Sequence, residues 1–151
     1  MTRNILPILI TASLFLAGAA LAQTSAANPK VLLKTTKGDI TIELYPAKAP
    51  ITVKNILGYV EDKLYDGLIF HRVIPGFMIQ TGGLTADMHE KANKASIKNE
   101  SGNGLTNARG TVAMARTNEL DSATSQFYIN LVDNFRLDEM KYCSFGKVVA
   151  G

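Results

Sequence analysis

Phe70-His71-Arg72-Val73-Ile74-Pro75-Gly76-Phe77-Met78-Ile79-Gln80-Thr81-Gly82-Gly83 holds two short apolar runs, joined at Pro75-Gly76 and closed by a pair of glycines. The pattern predicts a β-hairpin. On alternating strands Arg72 and Gln80 stand near Phe77 and Met78, which sets a permanent cation and an amide beside a broad apolar surface. Such a surface suits a ring on its apolar side and a carbonyl or amide on its polar side. The stretch contains no nucleophile paired with a base and no cluster of metal ligands, so chemistry here works by binding and electrostatics.

Upstream of this hairpin, Val53, Ile56, Leu57, Val60 and Leu64 recur at three- and four-residue spacing behind Pro50. That predicts a helix over about 50–64, stopped by Tyr65-Asp66-Gly67. Earlier still, 31–36 and 39–44 flank Lys37-Gly38 and predict an N-terminal hairpin, ended by Pro46 and Pro50. Downstream, the polar stretch from Thr81 to Asn107 is long for a compact domain and is expected to frame substrate, with a short strand at 97–100. Residues 110–116, 125–131 and 145–149 read as further strands. Many short strands with one helix place the chain in the β-barrel or β-sandwich class.

The N-terminus carries Arg3, an apolar run from Ile5 to Leu16 and the small-residue ending Ala20-Leu21-Ala22. This predicts a secretory signal peptide cleaved after Ala22 rather than a membrane anchor: Pro7, Thr11 and Ser13 interrupt a run already shorter than the ~20 residues that span a bilayer. Residues 23–29 are expected to be a flexible linker and 30–151 a single domain. The mature chain would carry 15 basic and 13 acidic residues, too even a balance to imply nucleic acid, and no association with membrane after cleavage is expected. Cys143 is the only cysteine, so no internal disulfide forms even in an oxidising compartment. Next to Tyr142 it reads as a small strand hydrophobe.

Phe70 to Gly83, taken with Gly110-Thr111-Val112-Ala113-Met114-Ala115, Ser125-Gln126-Phe127-Tyr128-Ile129 and Phe145-Gly146-Lys147-Val148, resembles the cyclophilin family of peptidyl-prolyl cis/trans isomerases. The motifs fall in family order and spacing, and the resemblance runs from about Lys30 to the last residue. With the signal peptide, the chain is similar to the periplasmic bacterial branch. The resemblance implies an antiparallel β-barrel, proline-containing polypeptides in unfolded or exposed segments as substrates, and no cofactor. It makes Arg72 the catalytic residue, donating a hydrogen bond to the prolyl nitrogen. Phe77, Met78, Tyr128 and Leu137 would line the proline pocket, and Tyr142 would take its edge. Gln80 would bond the substrate backbone, and the backbone of Ala115 and Arg116 would align the peptide beside a strand.

An amide bond resists rotation by ~18 to 20 kcal/mol because its nitrogen shares a lone pair with the carbonyl. A donor aimed at that nitrogen favours the pyramidal geometry found only in the twisted transition state. No covalent step is required. The runner-up reading is a proline-peptide-binding or chaperone-like module with reduced turnover. A hydrolase has little support, since no Ser or Cys shows an activating context.

His71 is expected to point into the barrel, buried and hydrogen-bonded, because neighbours on a strand face opposite ways. His89 lies in a polar loop, and neither histidine has companions at metal-ligand spacing. Four features depart from the family pattern. Thr81 replaces a glycine and adds a β-carbon next to Gln80. Tyr128 replaces a phenylalanine and brings a hydroxyl that needs a partner or solvent. Arg136 stands where a tryptophan or phenylalanine is usual, with Phe135 before it, which implies weak cyclosporin binding. Finally, family members continue past the position of Gly151 with a helix and a last strand, so the barrel is expected to be incomplete at its C-terminus. That leaves an open edge at 31–36, low stability and a tendency to aggregate.

Overall fold

Thr36 and Lys37 reverse the chain so that strands β1 (Lys30–Thr35) and β2 (Gly38–Leu44) pair antiparallel from Lys30 opposite Glu43 to Thr35 opposite Gly38. The turn is closed by Thr35, whose Oγ1 donates to the Gly38 carbonyl at 2.6 Å and accepts from the Lys37 N–H at 3.1 Å. The structure is a computed structural model that describes residues 27–151, so the expected signal peptide lies outside the described residues, as do 23–26 of the expected linker. The end of that linker is tied down. The Asn28 amide donates to Glu43 at 3.3 Å, and the Leu44 N–H donates to the Pro29 carbonyl at 2.9 Å.

Helix α1 spans Pro50–Glu61, three residues shorter than expected. Lys63, at φ 55°, takes the left-handed conformation. Its N–H bonds the Val60 carbonyl at 3.0 Å, and the Leu64 N–H bonds the Tyr59 carbonyl at 3.0 Å. This is a Schellman ending, built on a lysine where a glycine is the usual signal. The buried face also sits one position away from the expected one. Thr52, Val53, Ile56 and Tyr59 are buried, whereas Val60 is exposed. Tyr59 can be buried because its hydroxyl accepts the Lys94 N–H at 2.8 Å. At the N-terminus, Ala49 supplies no cap, and the Glu100 carboxylate does so from far along the chain. It accepts the Ile51 and Thr52 N–H groups at 3.0 and 2.8 Å and the Thr52 hydroxyl at 2.8 Å, meeting both the orphan donors and the helix dipole.

The remaining strands are β3 (Arg72–Ile74), β4 (Met78–Thr81), β5 (Thr111–Met114), β6 (Phe127–Asn130) and β7 (Ser144–Ala150), with a four-residue helix α2 (Arg136–Glu139) before the last. The segment at 97–100 is not a strand. Its pairing is a single bridge from Ile97 to Ala123. All seven strands join one antiparallel sheet in the order β1-β2-β7-β5-β6-β4-β3, curled into a half-barrel, so the chain is mainly β with two helices.

Alternation gives the sheet two working faces. Val112, Met114, Phe127 and Ile129 point inward with Ile42, Leu44 and Phe145 and meet Val53 and Ile56 of α1 in the main core. Tyr59, Tyr65, Phe127 and Phe145 cross it as successive edge-to-face pairs 5.6 to 6.4 Å apart. The residues between them, Met78, Ala113 and Tyr128, form a second buried cluster on the outer face. β1 ends the sheet and pairs only with β2 among the described residues, and Leu32 on it is 49 % exposed. Beside that edge lies an open groove of about 460 Å³ walled by β1, the Tyr65–Phe70 segment, Thr81 and Phe127.

Candidate active site

Pro75 and Gly76 form a type II turn: Gly76 has φ 72°, and the Phe77 N–H returns to the Ile74 carbonyl at 3.1 Å. That turn sets Arg72 opposite Gln80 and Ile74 opposite Met78. Gln80 in turn lies opposite Tyr128, and Tyr128 opposite Ala113. Four strands thus carry Arg72, Gln80, Tyr128 and Ala113 in one row across the outer face. In the glycine pair after β4, close approach of backbone requires Gly82, while Gly83 leaves room for the Gln126 side chain. A β-carbon on Gly82 would lie 2.6 Å from the Ser125 carbonyl, and one on Gly83 would lie 2.7 Å from the Gln126 side chain.

Above this row is a cavity of about 570 Å³. Arg72, Phe77, Met78, Gln80, Ala115, Arg116, Tyr128, Leu137 and Tyr142, the nine residues singled out in the sequence, all line it. Asn134, Arg136 and Met140 complete the wall. The apolar floor is Met78 and Tyr128, with Phe77, Ala115, Leu137 and Tyr142 packed around them.

The polar groups are held by one another. Arg72 Nη1 donates to Gln80 Oε1 at 3.4 Å, and Gln80 Nε2 donates to Gln126 Oε1 at 2.8 Å, so Gln126 orients the amide that faces the guanidinium. Arg116 donates to the Thr117 carbonyl at 2.8 Å and to the Met140 carbonyl, and lies 4.4 Å from the Tyr142 ring centroid. The Ala115 N–H is already bonded to the Gln126 carbonyl at 3.0 Å.

Beneath the cavity runs a chain of amides that the sequence reading missed. Asn107 is fully buried. Its Oδ1 accepts the Tyr128 hydroxyl at 2.8 Å and Asn130 Nδ2 at 3.1 Å, while its Nδ2 donates to Asp138 at 2.7 Å and to the Tyr142 carbonyl at 3.2 Å. Asn134 then bonds Asn130 Oδ1 at 2.8 Å and the Phe77 carbonyl at 3.0 Å. The network ties α2 and its flanking loops to β4 and β6, fixing the far wall of the cavity to its floor. Burial pushes the Tyr128 phenol well above its ordinary range, and Tyr142 and Asp138 add to the shift. Among the described residues no three His, Cys, Asp or Glu side chains converge as metal ligands.

Residues 30–151 match the family model described as cyclophilin type peptidyl-prolyl cis-trans isomerase/CLD. The chain belongs to the cyclophilin family. It is 52 % identical to the peptidyl-prolyl cis-trans isomerase of Acinetobacter baylyi over 92 % of this chain and 76 % of that one. With peptidyl-prolyl cis-trans isomerase A of Dickeya dadantii it is 50 % identical over 100 % of this chain and 81 % of the relative. A cyclophilin-type isomerase of Cryptosporidium parvum, crystallised in the presence of the dipeptide Ala-Pro, superposes with TM-score 0.70 at 28 % identity, covering 82 % of this chain and 80 % of that one. This cyclophilin is therefore an isomerase of the peptidyl-prolyl bond.

The departures from the cyclophilin pattern have structural outcomes. Thr81 leaves the strand pairing continuous, opposite Phe127, because its side chain turns inward and Oγ1 donates to the Ile69 carbonyl at 2.9 Å. The Tyr128 hydroxyl finds its partner in Asn107 rather than in solvent. Arg136 lines the cavity while Phe135 is 54 % exposed, so the exchange of order puts the cation inside the rim and the ring outside it. His71 corrects the sequence reading: it is only partly buried, and its buried Nδ1 has no hydrogen-bond partner. It precedes the first ladder pair of β3, where no neighbouring strand supplies an acceptor. Cys143 is buried, and burial pushes its thiol up, as expected of a packing residue.

Proposed function

We propose that Arg72 catalyses rotation of X-Pro bonds by donating to the prolyl nitrogen while Phe77, Met78 and Leu137 hold the ring and Gln80 bonds the substrate backbone. The observation that carries this reading is the convergence of a guanidinium and an oriented amide over one apolar cavity. A hydrogen bond to a charged group contributes roughly 1.5 to 3 kcal/mol, and each 1.36 kcal/mol of barrier is tenfold in rate. Arg72 therefore supplies about ten- to a hundredfold, and the enclosed apolar floor supplies the remainder by desolvating the amide.

The decisive experiment follows isomerisation of a short X-Pro peptide by residues 23–151 and by its Arg72→Ala variant. Turnover should drop by about ten- to a hundredfold in the variant. Equal rates would remove Arg72 from the mechanism. The single domain, residues 30–151, would act in the periplasm on exported proteins as they fold, a reading supported by the apolar run and the Ala20-Leu21-Ala22 ending. Expression of the full chain in a Gram-negative host should yield a periplasmic product beginning at Gln23; an uncleaved cytoplasmic product would rule out export. Cyclosporin should inhibit weakly, since Arg136 offers a cation where an indole would stack, and nanomolar inhibition would contradict this.

A further inference from the structure

Three guanidinium groups, those of Arg72, Arg116 and Arg136, face the cavity, and its lining includes no carboxylate. Among the described residues the ion pairs join Asp87 to His89 and Asp62 to Lys94, so none of the three is neutralised by a partner. They differ in how they are held. Arg116 is pinned by backbone carbonyls and stacked on Tyr142. Arg72 is bonded to Gln80. Arg136 is exposed at the start of α2, with none of the carbonyl bonds that fix Arg116.

The carboxylates near Arg136 in sequence are engaged elsewhere or lie outside the cavity. Asp133 accepts the Arg109 N–H at 2.8 Å, and Asp138 accepts the Asn107 N–H at 2.9 Å and its side-chain amide at 2.7 Å. Glu139 is exposed and makes no ion pair with Arg136. Leu137, the next residue, packs into the apolar floor with Met78 and Tyr128. A peptide whose proline sits on that floor therefore passes its flanking residues close to an uncompensated, solvated guanidinium.

We infer that this site selects X-Pro peptides carrying a carboxylate beside the proline, with Arg136 as the specificity-determining residue. The inference rests on the reading that the cavity seats the proline ring. A carboxylate arriving there meets a planar fork of donors suited to it and relieves the mutual repulsion of three like charges. A lysine in the same place adds a fourth. The discrimination is thus partly attraction of the right partner and partly repulsion of the wrong one.

The test compares kcat/KM for three peptide sets with Glu, Gln or Lys placed immediately before the proline, at X, or immediately after it. At low salt the parent should favour Glu over Lys by about fivefold to tenfold in one of the two placements. The ratio should shrink as ionic strength approaches 1 M, where screening acts within ~3 Å. In Arg136→Gln the Glu-to-Lys ratio should fall below about twofold whatever its rate on the Gln peptide, and Arg136→Lys should restore most of it. A flat ratio in the parent, or one that survives Arg136→Gln, overturns the proposal. Arg72→Ala separates the two readings. If Gln-peptide turnover depends on Arg72, a flat ratio defeats only the selectivity; if it does not, the assignment of the site itself fails.

Discussion

Two hollows among the described residues invite comparison, the site cavity of about 570 Å³ on the outer face and the groove of about 460 Å³ beside β1. Both mix apolar side chains with basic ones. In the cavity, a guanidinium, an oriented amide and a rigid floor converge from β3, β4, β6 and α2, and a buried amide network fixes their separation. In the groove the polar side chains are those of Lys34, Thr35, Lys63, Tyr65, Asp66 and Thr81, and Thr81 and Tyr65 spend their hydroxyls on the Ile69 and Ser125 carbonyls. Volume is common to both. What separates the cavity from the groove is convergence of donors fixed by a network, which matches what distinguishes ligand sites in general.

Four experiments test that contrast. The largest effect should come from Asn107→Ala, which strands the buried Tyr128 hydroxyl and takes one hydrogen bond each from the Asn130 amide and the Asp138 carboxylate. It should destabilise the fold by about 3 kcal/mol in urea denaturation; a loss under about 1 kcal/mol would mean that water replaces the network without cost. Arg72→Ala comes next, and its ten- to a hundredfold fall in turnover should leave the denaturation midpoint unmoved, because Arg72 is exposed.

Each hollow also has a tyrosine, Tyr128 buried under the cavity and Tyr65 half-buried in the wall of the groove, and desolvation raises both phenols well above their ordinary value. In the unfolded chain they lose their protons near pH 10, while in the folded protein they keep them. The unfolded state then binds fewer protons, so stability should be flat from pH 7 to about 9 with respect to these groups and fall steadily above about 10. Phenolate absorbance followed during denaturation at pH 11 should appear only with unfolding, and Tyr65→Phe and Tyr128→Phe should each remove part of the slope. A slope untouched by either change would place the alkaline loss elsewhere.

The smallest change in stability, within about 0.5 kcal/mol, is expected for Leu32→Lys on the open edge. Its effect should appear instead in sedimentation: the parent self-associates as concentration rises and the variant does not. A parent that stays monomeric at high concentration would show that the edge is harmless as it stands.

One side of the cavity was legible from local signals: Arg72, Phe77, Met78 and Gln80 follow from a period of two and a Pro-Gly turn. Tyr128, Leu137 and Tyr142 came only from the resemblance to cyclophilins. Asn107 was not legible. Nothing in Thr106-Asn107-Ala108 distinguishes a buried hub from a solvated loop, since its partners lie 21 and 31 residues away. Glu100 capping α1 across 48 residues escaped for the same reason. Helix α2 is too short for periodicity to reveal, and α1 ended early because its left-handed stop is Lys63, a residue type that carries no such signal. His71 shows the reverse error. Alternation treated it as a strand residue, whereas β3 begins at Arg72, and it could not say whether an acceptor would be waiting there.

β4, β5 and β6 are only one residue thick, and they serve the main core through Ile79, Val112, Phe127 and Ile129 and the cavity through Met78, Gln80, Ala113 and Tyr128. Every core residue on these strands is therefore the backbone neighbour of a cavity residue or of one that supports it. For selection, or for an engineer, the two properties cannot be searched separately: a methyl group removed from Ile79 or Ile129 to loosen the interior also shifts the floor of the cavity. Drift in the interior of this protein should be read out first in its kinetics.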